Sequence, residues 1–156
     1  TLAVTMKVEI HNWDILQKYL KDISFSKESL EKGLKKEFSV YNILELGIIF
    51  VEDEYIHMLN REYRKKDYTT DVLSFSITTE PLVGEVYIAP CYISKNTPKE
   101  KLEEEILRNI VHGTLHVVGY DHREKFTEET KQKEKMFVKQ EEMLMNLLRL
   151  PSSHSL

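Results

Sequence analysis

The stretch from Thr97 to His122 constrains this chain most, because it asks for a helix that the rest of the molecule must surround. Thr97 is placed to cap that helix, Pro98 to occupy its first position and Glu100 to complete a capping box. Ile106, Leu107, Ile110, Val111, Leu115 and Val118 then form a wide apolar stripe at helical spacing, which predicts a largely buried helix. His112 and His116 fall within the same run. Residues four apart lie one turn apart on the same helical face.

Two imidazoles so placed can bind one metal ion at about 2.0–2.1 Å each. Gly119, just past the apolar run, can take the left-handed conformation that ends a helix and turns the chain back. Such a turn brings a third histidine, His122, towards the same ion from another direction. Three neutral nitrogen donors leave one tetrahedral position open, as in a catalytic rather than a structural zinc site. A single histidine would read as an ordinary member of an amphipathic helix, whereas a spaced pair with a third beyond a glycine reads as a metal site. Asp121, beside the third ligand, is a turn former, a second-layer partner of the ligand or a base. Imidazole suits zinc, nickel, copper and iron alike, so the spacing alone leaves the element open.

The spacing is similar to that of the metzincin proteases, H-E-x-x-H-x-x-G-x-x-H. Here Gly113 stands where the protease carries the glutamate that takes a proton from the attacking water. The change leaves metal binding intact and argues against peptide hydrolysis by that route.

A chain of 156 residues suits one domain, expected over residues 6–150 with flexible ends at 1–5 and 151–156. No apolar run approaches the roughly 18 residues of a membrane span. The one cysteine, Cys91, has no partner for an internal disulfide, and a cytoplasmic, membrane-free protein is the expectation. A net charge of −4 is not the basic footprint of a general nucleic-acid binder, and no DNA partner is expected. Any RNA contact needs a local patch.

One such patch is visible. Val4 to Ile10 alternates like a strand, a turn follows at His11 and Asn12, Ser26 caps a helix to about Phe38, and Leu46 to Val51 reads as a buried strand. Asp53 then looks like the cap of a helix to about Lys66 that buries Ile56, Leu59 and Tyr63. Its other side carries His57, Asn60, Arg61 and Arg64, followed by Lys65 and Lys66, a run that is either a solvated face or a phosphate-facing one. Thr69–Ser76 and Gly84–Ala89 predict antiparallel strands, and Pro90 to Asn96 an irregular close to the β region. Thr127 can cap a last helix whose Met136, Phe137, Gln140, Met143, Leu144, Leu147 and Leu148 recur at core spacing.

The run His112-Gly-Thr-Leu-His116-Val-Val-Gly-Tyr-Asp-His122 resembles the signature of the YbeY family of bacterial rRNA-maturation endoribonucleases. Leu59-Asn-Arg-Glu-Tyr-Arg64, Thr70-Asp-Val-Leu-Ser-Phe75 and Gly84-Glu-Val86 resemble that family's other motifs in the same order. The resemblance implies an α/β (α+β) fold, a single domain with a small mixed sheet of roughly four strands, surrounding helices and the metal-binding helix in the core. It implies one divalent metal ion, zinc first, on His112, His116 and His122, and Arg64 as the arginine of the activity. Arg61, Lys65 and Lys66 would then contact substrate. It also implies trimming of the 3′ end of small-subunit ribosomal RNA, ribosome quality control, and the ribosome or a ribosomal protein as partner. Two other readings stand beside it: a metal-dependent hydrolase of another substrate, such as a metzincin-like peptidase, and a non-catalytic ribosome-associated metal protein.

Overall fold

The computed structural model describes the backbone of residues 5–120 and 126–149, and among these the side chains of all but 126–134. Strands β1 (Lys7–His11), β2 (Ile43–Phe50), β3 (Val72–Thr79) and β4 (Leu82–Ile88) form one sheet in the order β1-β2-β4-β3. β1, β2 and β4 run parallel, and β3 returns antiparallel beside β4 as an edge strand. The helices are α1 (Trp13–Tyr19), α2 (Lys27–Glu37), α3 (Asp53–Arg64), α4 (Pro90–Lys95), α5 (Leu102–Val117) and α6 (Phe126–Leu147). This is the mixed, four-stranded single domain that the sequence leads one to expect.

The predicted central helix is α5, and the apolar stripe explains its place. Ile106, Leu107, Ile110, Val111 and Leu115 are all at most 1% exposed, packed into one core with α2, α6 and the sheet. Two glycines let α5 lie unusually close to the strands. A side chain at Gly84 would overlap that of Val117, and one at Gly113 would overlap Val86 and come within 3.0 Å of Ser74 Oγ and Val72 Cγ2. The hydroxyls of Ser74 and Ser76 donate to the helix carbonyls of Gly113 (2.7 Å) and Val117 (3.3 Å).

Successive side chains of a strand point to opposite faces. Ser74 and Ser76 therefore face α5, while Leu73 and Phe75 face the other way, where Leu73 joins Ile56 and Leu59 of α3 in a second, smaller core. The edge strand β3 thus carries α5 on one face and α3 on the other.

Several local expectations change. Thr97 caps nothing: Pro98 precedes a short 3-10 turn at Lys99–Lys101, and α5 starts only at Leu102. Residues 90–96 are not irregular but form α4, with Pro90 in its first turn. A helix, α1, occupies residues 13–19, where none was expected, and the first strand begins at Lys7 and includes His11. Glu52, not Asp53, stands before α3, and the Asp53 carboxylate instead accepts from the Tyr92 amide and the Lys95 ammonium. Tyr63 is 68% exposed rather than buried, because it lies beyond the second core. Asn60, expected on the solvated side of α3, is buried and shapes the following loop, donating to the Tyr68 carbonyl and accepting from the Lys66 amide. Phe137 of α6 and Leu148 just beyond it are exposed, whereas Met136, Gln140, Met143, Leu144 and Leu147 are buried as expected. The cap expected at Thr127 concerns a side chain outside the described residues.

Candidate metal centre

The last turn of α5 ends as its glycine predicts. Gly119 has φ 108°, its amide bonds the His116 carbonyl (3.1 Å), and the Tyr120 amide reaches back to the Leu115 carbonyl (3.1 Å). This paired closure is a Schellman cap. It has a chemical consequence, since the turn aims the Tyr120 carbonyl at His116 Nδ1, 2.7 Å away. One turn earlier, His112 Nδ1 lies 2.7 Å from Oε1 of Gln140 on α6.

Both oxygens accept only, so the tautomer that makes both bonds carries its proton on Nδ1. The Nε2 atoms are left with lone pairs, and they face one another at 3.0 Å. Two neutral imidazoles so oriented repel unless a cation lies between them. At about 2.0–2.1 Å from each nitrogen, that separation subtends roughly 95° at an ion, close to what a distorted tetrahedral site accepts. The donor set, its fixed tautomers and its half-buried position therefore fit a divalent metal. Among the described residues no group of three histidine, cysteine or acidic side chains converges on one point. His122 and Asp121 lie outside the described residues.

Position 113 faces the sheet, not the histidines. The metzincin glutamate thus has no room there, and the glycine is a packing requirement of this fold. Gln140 is the residue that sequence reasoning passed over as core. The available signal was a polar side chain within an otherwise apolar stripe, which needs a partner once buried.

The basic cluster sits at the C-terminal end of α3. Arg61, Arg64, Lys65 and Lys66 are all exposed, and Lys65 ends the helix with φ 58°. Asp67 accepts from His57 Nε2 at 2.7 Å and lies 3.9 Å from Arg61, partly neutralising it. No side-chain hydrogen bond or ion pair among the described residues engages Arg64, Lys65 or Lys66, and none joins Arg64 to the histidines. The structure therefore brings His112 and His116 together and leaves the basic residues exposed at the end of α3, the helix that packs on the other face of β3.

Beside that cluster runs a row of rings along the α3 side of the sheet: Tyr55 and Tyr87 (6.2 Å between centroids), Tyr87 and Phe75 (5.8 Å), Phe75 and Tyr63 (5.6 Å). Burial, reinforced by the nearby Glu85 carboxylate, pushes the Tyr87 phenol up to about 12, so it stays neutral. Farther across the sheet, Glu9, Glu45 and Glu85 line a shallow cavity of about 110 Å³ with Lys7 and His11, a surface that repels phosphate.

The family model described as Endoribonuclease YbeY matches residues 8–148. A protein of that name from Thermotoga maritima is 35% identical over 118 residues, 73% of this chain and 77% of its own length. One from Persephonella marina is 34% identical over 143 residues, covering 85% and 91%, and one from Aquifex aeolicus is 37% identical, covering 74% and 82%. The solution structure of a Thermotoga maritima protein superposes with a TM-score of 0.58 at 29% identity, covering 92% of this chain and 89% of its own.

Proposed function

The chain belongs to the endoribonuclease YbeY family, and from that premise we propose that it is a metal-dependent endoribonuclease that processes ribosomal RNA, with zinc held by His112, His116 and His122. The observation that carries the metal part is the pair of Nε2 atoms set face to face at 3.0 Å, with an acceptor oxygen 2.7 Å from each Nδ1. When bound, the ion supplies Lewis-acid polarisation of a phosphoryl oxygen and activation of a nucleophile. The chain's own residues do the rest. His112 and His116 hold the ion rigidly because α5 is locked to the sheet through Gly113 and Ser74. Arg64 presents a guanidinium that matches phosphate geometry, and in this reading it meets the substrate at the free edge of β3 and stabilises charge developing at the scissile group. Arg61, Lys65 and Lys66 bind flanking phosphates, and the exposed ring of Tyr63 offers a face on which a base stacks. Asp121 supports the third ligand or shapes its turn.

A net charge of −4 works against long-range attraction to RNA, so in this reading the contact is local and a ribosomal protein helps to deliver the enzyme. The substrate is the 3′ end of small-subunit precursor rRNA, the setting the cytoplasm, and the wider role ribosome quality control. No helix among the described residues is long and apolar enough to cross a membrane. The peptidase reading loses support because position 113 has no room for the glutamate.

The test is cleavage of precursor small-subunit rRNA by zinc-loaded protein, with His116→Ala and Arg64→Ala purified identically. Loss of cutting in both variants is expected, with zinc retained by Arg64→Ala. Equal cutting by His116→Ala would remove the metal from the chemistry, and no cutting by any would favour a non-catalytic ribosome-bound metal protein. A 2′,3′-cyclic phosphate on the product would identify the ribose hydroxyl rather than water as nucleophile.

A further inference from the structure

We infer that Gln140 is a positioning residue for the metal site, and that the Arg108–Glu141 ion pair holds its amide in the one orientation that keeps His112 a ligand. This rests on the metal-centre reading above. An amide side chain can present either its oxygen or its NH2 group, and its flip is decided by neighbours. Gln140 is 7% exposed and has two: His112 Nδ1 at 2.7 Å from Oε1, and Glu141 Oε2 at 3.2 Å from Nε2. Flipped, the amide would set its oxygen against the Glu141 carboxylate and a donor against the Nδ1 proton of His112. Both contacts would turn repulsive.

Glu141 is itself fixed. Arg108 grips it with Nε to Oε2 (3.0 Å) and Nη2 to Oε1 (3.1 Å), while its third nitrogen, Nη1, reaches Glu105. Arg108 and His112 lie one turn apart on α5, and Gln140 and Glu141 are adjacent on α6. The four side chains therefore form a chain of contacts from Arg108 through Glu141 and Gln140 to His112, a circuit closed by one turn of α5. Its outcome is the tautomer of His112: proton on Nδ1, lone pair on Nε2.

A merely structural network would tolerate any pair that keeps the two helices joined. This circuit would not. Exchanging the charges, Arg108→Glu with Glu141→Arg, preserves an interhelical ion pair but offers guanidinium donors to the amide. The amide should then flip and move the His112 proton to Nε2.

The experiment reads two quantities. Long-range 1H–15N correlation spectra of the metal-free protein, at a pH where imidazole is neutral, report the His112 tautomer. Competition against a chelator reports affinity for zinc. Wild type should show His112 protonated at Nδ1. Gln140→Leu should show a tautomer mixture and bind zinc about 10–100-fold more weakly. Gln140→Glu keeps an acceptor on His112 Nδ1 and should retain the tautomer, at a cost in stability because its second oxygen faces the Glu141 carboxylate. The charge-swapped double variant sets a carboxylate beside Glu104 and Glu105, so its thermal midpoint should fall, and it should lose the tautomer and weaken zinc binding as Gln140→Leu does. An unchanged tautomer and zinc affinity in Gln140→Leu, or a charge swap without effect on either, overturns the inference. If wild type binds no zinc, the metal-centre reading fails, while the tautomer spectra still test the circuit separately.

Discussion

Gly113→Ala is the sharpest test of how the metal helix is held. Alone on an isolated helix, replacing glycine by alanine stabilises by about 0.8–1.0 kcal/mol, because the backbone gives up less freedom on folding. Three contacts oppose that gain. The new Cβ would overlap the Val86 side chain and lie within 3.0 Å of Ser74 Oγ and Val72 Cγ2. Ser74 and Val72 belong to β3 and Val86 to β4, so relief means moving the helix off two strands at once. Forcing a methyl group into a well-packed core costs about 1–3 kcal/mol. Lifting the helix also stretches the bond from Ser74 Oγ to the Gly113 carbonyl, worth about 0.5–1.5 kcal/mol.

The sum is a net loss of about 0.5–4 kcal/mol, which for a domain of this size lowers the thermal midpoint by roughly 1–15 °C. Thermal unfolding should be followed by circular dichroism in excess chelator, so that metal binding does not contribute to the shift. Zinc affinity should fall together with the midpoint, since the same displacement moves both histidines. An alanine variant as stable as wild type, or more stable, would show that helix propensity wins and that the close approach is not needed. Gly113→Glu, which restores the protease residue, should fail to fold rather than gain peptidase activity.

Four further outcomes follow from the same geometry. His116→Ala should abolish tight zinc binding in competition titrations while leaving the far-ultraviolet dichroism intact, because the imidazole is half-buried at the end of α5 and not in its apolar stripe. Arg64→Ala should weaken binding of a single-stranded rRNA fragment and reduce the slope of log Kobs against log salt by about 0.7, one phosphate contact's worth. Tyr63→Ala should change stability by less than about 0.5 kcal/mol, since the ring is 68% exposed, yet weaken the same RNA complex in a filter-binding assay. Arg108 holds the Glu141 carboxyl below its ordinary value of 4.5, so its stabilising contribution is complete above that value and is lost as pH falls through the lower folded one. The midpoint gap between wild type and Glu141→Gln, about 1 kcal/mol after solvent screening, should therefore be constant near neutrality and close in acid.

How much of this was legible in the residues differs between elements for physical reasons. The α5 stripe, the histidine pair and the Gly119 cap are local patterns, set by spacing along one chain segment, and each stands where its spacing put it. Helix α1 buries only Leu16 fully, and α4 only Pro90 and Ile93, so neither shows the repeated stripe that identifies a helix in sequence. Tyr63 has the i+4 spacing of a core residue after Leu59, but α3 outruns the surface it packs on. No local rule contains that length. Gly113 and Gln140 are legible only in three dimensions. One answers to Val86, 27 positions earlier in the chain, and the other to His112, 28 positions before it.

The two halves of the proposed site meet at one strand, and that placement restricts the substrate. β3 is an edge strand, with the histidines carried on the helix that packs on one face and Arg64 with Tyr63 on the helix that packs on the other. A sheet and a layer packed on it are separated by about 10 Å, so a ligand touching the layers on both faces must turn round the free edge of β3 within about 20 Å. A duplex has a persistence length of about 150 base pairs, so reversing its direction within such a distance is costly. A single strand rotates about each backbone bond and can do it, stacking a base on Tyr63 while a phosphate reaches the metal. The acidic cavity beyond Tyr87 closes the alternative route across the sheet. Engagement of both halves by one ligand therefore demands unpaired RNA, and a duplexed version of the same sequence should resist cleavage even when it binds the basic residues.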